Sequence, residues 1–364
     1  MKIGTLKETK QGEQRVALSP QVVKQLIAKN FEVCIESGAG EKCSFSDEAY
    51  TTLGASVLSK AEVLKSDILV KVNPFDLDEV AKMKAGQVAI SLLYHLVNTE
   101  LIAKMTDQKV SAFSMDAIPR ISRAQSMDVL SSQSNLAGYK AVLMGASEMT
   151  KIFPMLMTAA GTITPSKVLI YGVGVAGLQA IATAKRLGAV VEATDVRPET
   201  KEQAESLGAK FIMVESEAKS EGGYAKEVSD EYKLKQKEAV NKSLFAADLV
   251  ITTALIPGRK APVLIEEDQV KQMKLGAVIV DMAAEQGGNC ALAEDNKIVV
   301  KHGVKIVGLT NLPSMLATNA SELFAKNLST FLNHLVHEGA FKWELEEEIT
   351  DATLITHNGE NRKS

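Results

Sequence analysis

The chain has 364 residues, 46% of them hydrophobic and 24% charged, which is long enough for two packed domains and too apolar for a disordered chain. A net charge of −4 without any basic block argues against a nucleic-acid partner. No run of about 18 apolar residues is present to span a membrane, and no signal-like apolar run follows Met1. Cys34, Cys43 and Cys290 are scattered without metal-ligand spacing, so they read as structural thiols of a reducing compartment, and no metal is expected.

The N-terminal part alternates strand and helix patterns. Short strands are predicted over 2–6, 31–36, 68–72, 87–92 and 110–114. Ser19-Pro20 opens a helix to residue 29, with serine as N-cap and proline at the first helical position. Behind the last of these strands lies a polar concentration, Arg120, Arg123, Gln125, Asp128, Ser131 and Ser132. Two readings stay open here: a solvated loop in which Asp128 or Ser126 caps the next helix, or a site that orients a ligand. Residues 128–150 are apolar at helical spacing without an interior proline and are predicted to carry the chain into a second domain.

That second domain holds the most informative segment. Val168-Leu-Ile-Tyr feeds Gly172-x-Gly174-x-x-Gly177, and a helical pattern follows. In a strand–turn–helix setting the first glycine permits the tight turn. The second lets backbone approach a pyrophosphate, and the third lets helix pack on strand. The helix N-terminus then offers N–H groups and a positive dipole end to phosphate. A second strand, 190–195, ends on Asp195, 18 residues past Gly177. A carboxylate there binds a ribose 2′-OH and repels a 2′-phosphate, which favours NAD over NADP. Arg197 is dissonant, because an arginine nearby could meet a 2′-phosphate.

Further strands are predicted over 211–214, 249–253, 278–282 and 305–308, completing six for two mononucleotide-binding halves. Between the third and fourth lies a long charged stretch, 216–230, with Gly222-Gly223 before Tyr224, readable as a lid or as a surface insertion. The apolar run 328–336 reads as a helix that returns to the first domain. The expected organisation is therefore α/β with two Rossmann-like domains, 1–138 plus 312–364 and 139–311, the second a doubly wound parallel sheet binding NAD(H). The acidic, then polar, tail after Glu344 is expected to fray.

The run Pro119-Arg-Ile-Ser-Arg-Ala-Gln-Ser-Met-Asp-Val-Leu-Ser-Ser-Gln-Ser-Asn-Leu-Ala-Gly-Tyr-Lys-Ala-Val142 resembles the signature of the NAD(H)-binding component, the alpha subunit or domain I, of proton-translocating nicotinamide nucleotide transhydrogenases. Further matches are the glycine loop, Thr194-Asp-Val-Arg-Pro198, Glu221-Gly-Gly-Tyr-Ala-Lys226, Thr252-Thr-Ala-Leu-Ile-Pro-Gly-Arg259 and Asp281-Met-Ala-Ala-Glu-Gln-Gly-Gly-Asn-Cys290. The resemblance implies that Arg120, Gln125 and Asp128 contact the two nicotinamides, that Ser131 partners a carboxamide or ribose, and that Gln125 bridges toward NADP(H) held by a partner component. It implies NAD(H) contacts at Gly172, Gly174, Val175, Ala176, Gly177, Asp195, Val196, Arg197, Thr253, Ala254 and Leu255. Gly223 and Tyr224 then belong to a mobile loop that closes over the nucleotide. A homodimer, membrane-spanning and NADP(H)-binding partners, and a cytoplasmic place peripheral to the inner membrane follow as expectations.

The fold is shared with alanine dehydrogenase, the main rival, which needs a substrate lysine and an acid/base histidine. Lys71 and His95 fall near those places, whereas Glu285 stands where that family's aspartate is expected. A regulatory NAD-binding module is the non-enzymatic alternative; it would need Asp195 and the glycines but not the 120–128 loop.

Overall fold

The computed structural model describes residues 1–214, 230–256 and 258–363. The chain forms two compact units, Met1–Gln133 with Pro313–Ser364, and Ser134–Leu312. In the first, the strands Ser56–Leu58, Glu32–Glu36, Lys2–Thr5, Ile68–Val70, Val88–Ser91 and Ser111–Ser114 lie side by side in that spatial order, all parallel. Numbered along the chain this is 3-2-1-4-5-6, the doubly wound order. Alternate residues feed two apolar layers. Ile3, Ile35, Val70, Ile90 and Phe113 pack with Val22, Val23 and Leu26 of the helix Pro20–Ala28 and with Phe324, Leu328 and Phe331 of the helix Ala317–Leu335. Cys34, Leu69, Ala89 and Ala112 face Ile102 and Met105 on the other side. Covering both faces is what lets Val88–Ser91 be buried throughout.

The second unit repeats the order. Lys210–Phe211, Val190–Thr194, Lys167–Tyr171, Leu249–Thr252, Val278–Asp281 and Val304–Val307 are parallel neighbours. The helix Val175–Arg186 covers one face through Ala180, Ile181 and Ala184. The α/β class with two Rossmann-like sheets, read from the sequence, is thus the fold. A seventh strand, Ile298–Lys301, was not foreseen. It pairs antiparallel through a two-residue turn, His302-Gly303, both at positive φ (52° and 78°) as a type I′ hairpin requires.

The C-terminal tail does not fray. Glu348–Thr353 is a helix and Leu354–His357 a strand antiparallel to Ser111–Ser114, with Ile355 and Thr356 fully buried. The Thr356 hydroxyl donates to the Val110 carbonyl at 2.7 Å. The apolar face of Leu354 and Ile355 outweighs the acidic run before it. Ser56–Leu58, also unforeseen, is too short to show a period. Among the described residues no helix is long and apolar enough to cross a membrane.

Candidate functional site

In the second unit the strand Lys167–Tyr171 runs straight into the glycine loop, and the three glycines divide three tasks. Gly172 sits at φ 91°, where an L side chain is strained. A Cβ on Gly177 would overlap the Gly172 carbonyl oxygen, so this residue must be bare for the helix to seat. A Cβ on Gly174, in contrast, would meet nothing within 4 Å. Packing therefore does not demand the second glycine. The open space above it is what a pyrophosphate needs. Gly174 is also the N-cap of Val175–Arg186 and offers no side-chain cap, so the first-turn N–H groups, Val175 and Ala176 among them, are left for a ligand. The donor set and the space fit a dinucleotide.

Asp195 follows the neighbouring strand, its side chain 5% exposed. It accepts from Val173 N at 2.7 Å and from Arg197 N at 2.9 Å. The Arg197 Nε and Nη2 atoms each add a bond at 3.0 Å. Burial pushes this carboxyl up, but the bonds outweigh it and hold it below the ordinary aspartate range, so it stays ionised. Val196 beside it is almost wholly exposed. On the other side of the loop the Thr253 hydroxyl donates to the Tyr171 and Gly172 carbonyls at 3.1 and 3.2 Å. Ala254 is fixed by a residue to which sequence reasoning gave no role. Asn289 Oδ1 accepts from Ala254 N at 3.0 Å, and its amide donates to the Ala254 and Pro262 carbonyls. Its own turn is set by Gly287 and Gly288, both at positive φ, and by buried Asp281, which accepts from Cys290 N and Ala283 N. That Gly-Gly-Asn run was the available signal. Leu255 is exposed at the same rim. Gly223 and Tyr224 lie outside the described residues.

In the first unit the 120–131 segment is pinned from beneath. The Asn327 amide donates to the Ser126 carbonyl at 2.8 Å, and the Ser132 hydroxyl donates to Asn327 at 2.7 Å. Gln133 donates to the Ala320 carbonyl and accepts from Arg15 at 3.0 Å. Asp128 caps the helix Val129–Glu148, accepting from Ser131 N at 2.9 Å and from the Ser131 hydroxyl at 2.6 Å. Capping thus uses one acceptor site on each carboxylate oxygen and leaves others. Arg120 and Gln125 are exposed, and among the described residues neither side chain makes a hydrogen bond or ion pair. Arg123, by contrast, is held by Glu347 and Glu348.

The first sheet has its own switch point, where the ends of Lys2–Thr5 and Ile68–Val70 diverge, and it is filled with charge. Lys71, 1% exposed, lies 2.9 Å from Glu79, which also takes Lys60 at 2.7 Å. Arg15 forks onto Glu13 at 2.8 and 2.7 Å. Asn73 bridges Glu13 and Glu8 at 2.8 and 3.0 Å. Burial opposes ionisation of Glu13, but Arg15 and Asn73 bring it down to about 2. Burial wins at Glu8 and raises it. His95 Nδ1 is buried without a hydrogen-bond partner among the described residues.

The N-terminal domain model of alanine dehydrogenase/PNT matches residues 4–137, and the C-terminal domain model matches residues 141–364. The chain belongs to the alanine dehydrogenase/PNT family. It is 55% identical to an NAD(P) transhydrogenase subunit alpha protein of Rhodospirillum rubrum over 99% of this chain and 97% of that protein. A solved transhydrogenase from Sinorhizobium meliloti superposes with a TM-score of 0.92 at 45% identity, covering 99% of this chain and 100% of that one. Alanine dehydrogenase of Bacillus subtilis is more distant, 29% identical over 99% of this chain and 92% of that protein.

Proposed function

We propose that this chain is the NAD(H)-holding component of an NAD(P) transhydrogenase, passing hydride between NADH and NADP+ held by a partner component in an assembly that translocates protons. The observation that carries the nucleotide reading is the cradle at Gly174, open where a side chain would fit and set beside first-turn N–H groups and an ionised Asp195. Val175, Ala176, Val196, the Arg197 backbone, Thr253, Ala254 and Leu255 are assigned to its rim; Gly223 and Tyr224 are assigned to nucleotide contact and lie outside the described residues. Bound nicotinamides supply the redox chemistry themselves. The protein's task is orientation, for which hydrogen-bonding side chains suffice and no activated base is needed. Arg120, Gln125, Asp128 and Ser131 have that character. Asp128 and Ser131 are mutually fixed, and Arg120 and Gln125 are free to engage a ligand. We assign Gln125 to the bridge toward NADP(H). The working state is a homodimer on the cytoplasmic face of a membrane, held there through membrane-spanning partners.

The charge cluster supports this reading over an alanine dehydrogenase. Lys71 is matched by Glu79 inside the fold, and among the described residues His95 Nδ1 has no orienting partner of the kind an acid/base histidine uses. The test mixes the purified chain with an NADP(H)-binding component and follows hydride exchange between NADH and an NADP+ analogue. Exchange is expected. Gln125→Ala should slow it with NADH affinity nearly unchanged, and an equal loss of both removes the bridging role. NADH oxidation by the chain alone, dependent on pyruvate and ammonia, would overturn the proposal.

A further inference from the structure

The Asp195 carboxylate has no acceptor site left for a ribose. A carboxylate offers about four lone-pair positions. Oδ1 takes Arg197 N at 2.9 Å and Arg197 Nε at 3.0 Å; Oδ2 takes Val173 N at 2.7 Å and Arg197 Nη2 at 3.0 Å. Two of the four donors are backbone and fixed by the fold. Val173 belongs to the glycine turn. The Arg197 backbone is anchored by Thr200, whose N–H and hydroxyl both donate to the Arg197 carbonyl, at 3.2 and 2.8 Å. The other two belong to the guanidinium, which is replaceable: the Arg197 side chain is 51% exposed while that of Asp195 is 5% exposed. A ribose hydroxyl donating to Asp195 must therefore take a position that the guanidinium holds.

Resting on the NAD(H) reading above, we propose that Arg197 is a built-in competitor for the ribose subsite, its guanidinium holding Asp195 until a dinucleotide ribose displaces it toward solvent. The competition lowers NADH affinity without altering the cradle and keeps Asp195 ionised and aimed. It also alters discrimination. While the pair persists, the arginine neutralises the carboxylate that would repel a 2′-phosphate, so Asp195 paired with Arg197 rejects NADPH less firmly than Asp195 alone would.

The test is a double-mutant cycle on the full chain, with NADH and NADPH dissociation constants measured by equilibrium titration for the parent, Arg197→Ala, Asp195→Ala and the double variant. A half-exposed bidentate pair is a modest competitor, so Arg197→Ala should bind NADH roughly 1.5-fold to fivefold tighter and NADPH more weakly. The same substitution in the Asp195→Ala background should give no gain for NADH. Weaker NADH binding by Arg197→Ala, or an equal gain in the two backgrounds, overturns the competitor role. If the parent fails to bind NADH, the NAD(H) reading falls instead, so the two failures are distinguishable. Thermal unfolding of each variant separates a folding defect from a binding effect.

Discussion

Replacing Lys71 with methionine tests whether the buried charges of the first sheet are structural. Lys71 Nζ lies 2.9 Å from Glu79, each side chain 1% exposed, and 5.6 Å from the Phe75 ring centre. Its attraction is also the largest influence holding down Glu8, which burial raises. Methionine keeps the stem and removes the charge, so two buried carboxyls lose their shared cation. Removing one partner of a buried pair costs about 3–5 kcal/mol. Lys60 still reaches Glu79 at 2.7 Å, which places the loss near the lower end. For a unit of roughly 150–250 residues, about 3 kcal/mol corresponds to a fall in Tm of about 6–12 °C, read by calorimetry at neutral pH. Burial opposes ionisation of Glu79, yet its cations hold it below the ordinary glutamate range. Its contribution is therefore present above the unfolded pKa and fades as pH falls through the folded one. The gap between parent and variant should narrow accordingly in acid. Adding Glu79→Gln should recover part of the loss, since a neutral amide needs no cation. A Lys71→Met protein as stable as the parent, or more stable, would refute the reasoning and mark Lys71 as a functional lysine held at a cost to stability.

The three glycines separate packing from binding. Gly174→Ala should unfold at the parent temperature, because its Cβ enters open space at φ −87°, yet bind NADH at least about tenfold more weakly by fluorescence titration. Gly177→Ala should lose both affinity and about 1–3 kcal/mol of stability in thermal unfolding, because its Cβ overlaps the Gly172 carbonyl; equal stability of the two variants would contradict these assignments. Glu13, with its pKa drawn down to about 2 against an ordinary 4.5, stabilises the fold above 4.5, and this support drains away as pH falls toward 2. Glu13→Gln should flatten that part of the acid unfolding curve, and an unchanged curve would mean that other carboxyls govern it.

The parts of the chain that were legible from sequence are those whose signals are local. The glycine spacing, the strand before it and Asp195 lie within 28 consecutive residues, 168–195, and each constrains backbone by itself. The buried charge cluster was not legible, because Glu8, Glu13 and Arg15 meet Lys71, Asn73 and Glu79 only once two strands pair. Nor was the guanidinium grip on Asp195, which needed side-chain positions. The C-terminal hairpin could have been found. Asn358-Gly359, at φ 50° and 86°, is a strong local signal for a two-residue type I′ turn, and Leu354–His357 before it carries the apolar residues of a strand. The acidic run ahead of it obscured that pattern. The 120–131 loop was recognisable only as a cluster of polar residues; its underpinning by Asn327 and Ala320 comes from about 200 residues away.

The first unit is interrupted in sequence by the second, which bears on the order in which the two can be completed. Its sheet is completed at one edge by Leu354–His357 and Glu360–Asn361, and one of its apolar layers is filled by Phe324, Leu328 and Phe331, all far downstream of its first strand. Residues 134–312 are contiguous and contain every strand of their own mostly parallel sheet. During vectorial synthesis the nucleotide-binding unit can therefore finish while the unit that began first still waits for its last helix and strand, with one apolar layer uncovered. Of the two units, the one whose strands come earlier in the chain is completed later, and the interval between the two is when a chaperone has the most to cover.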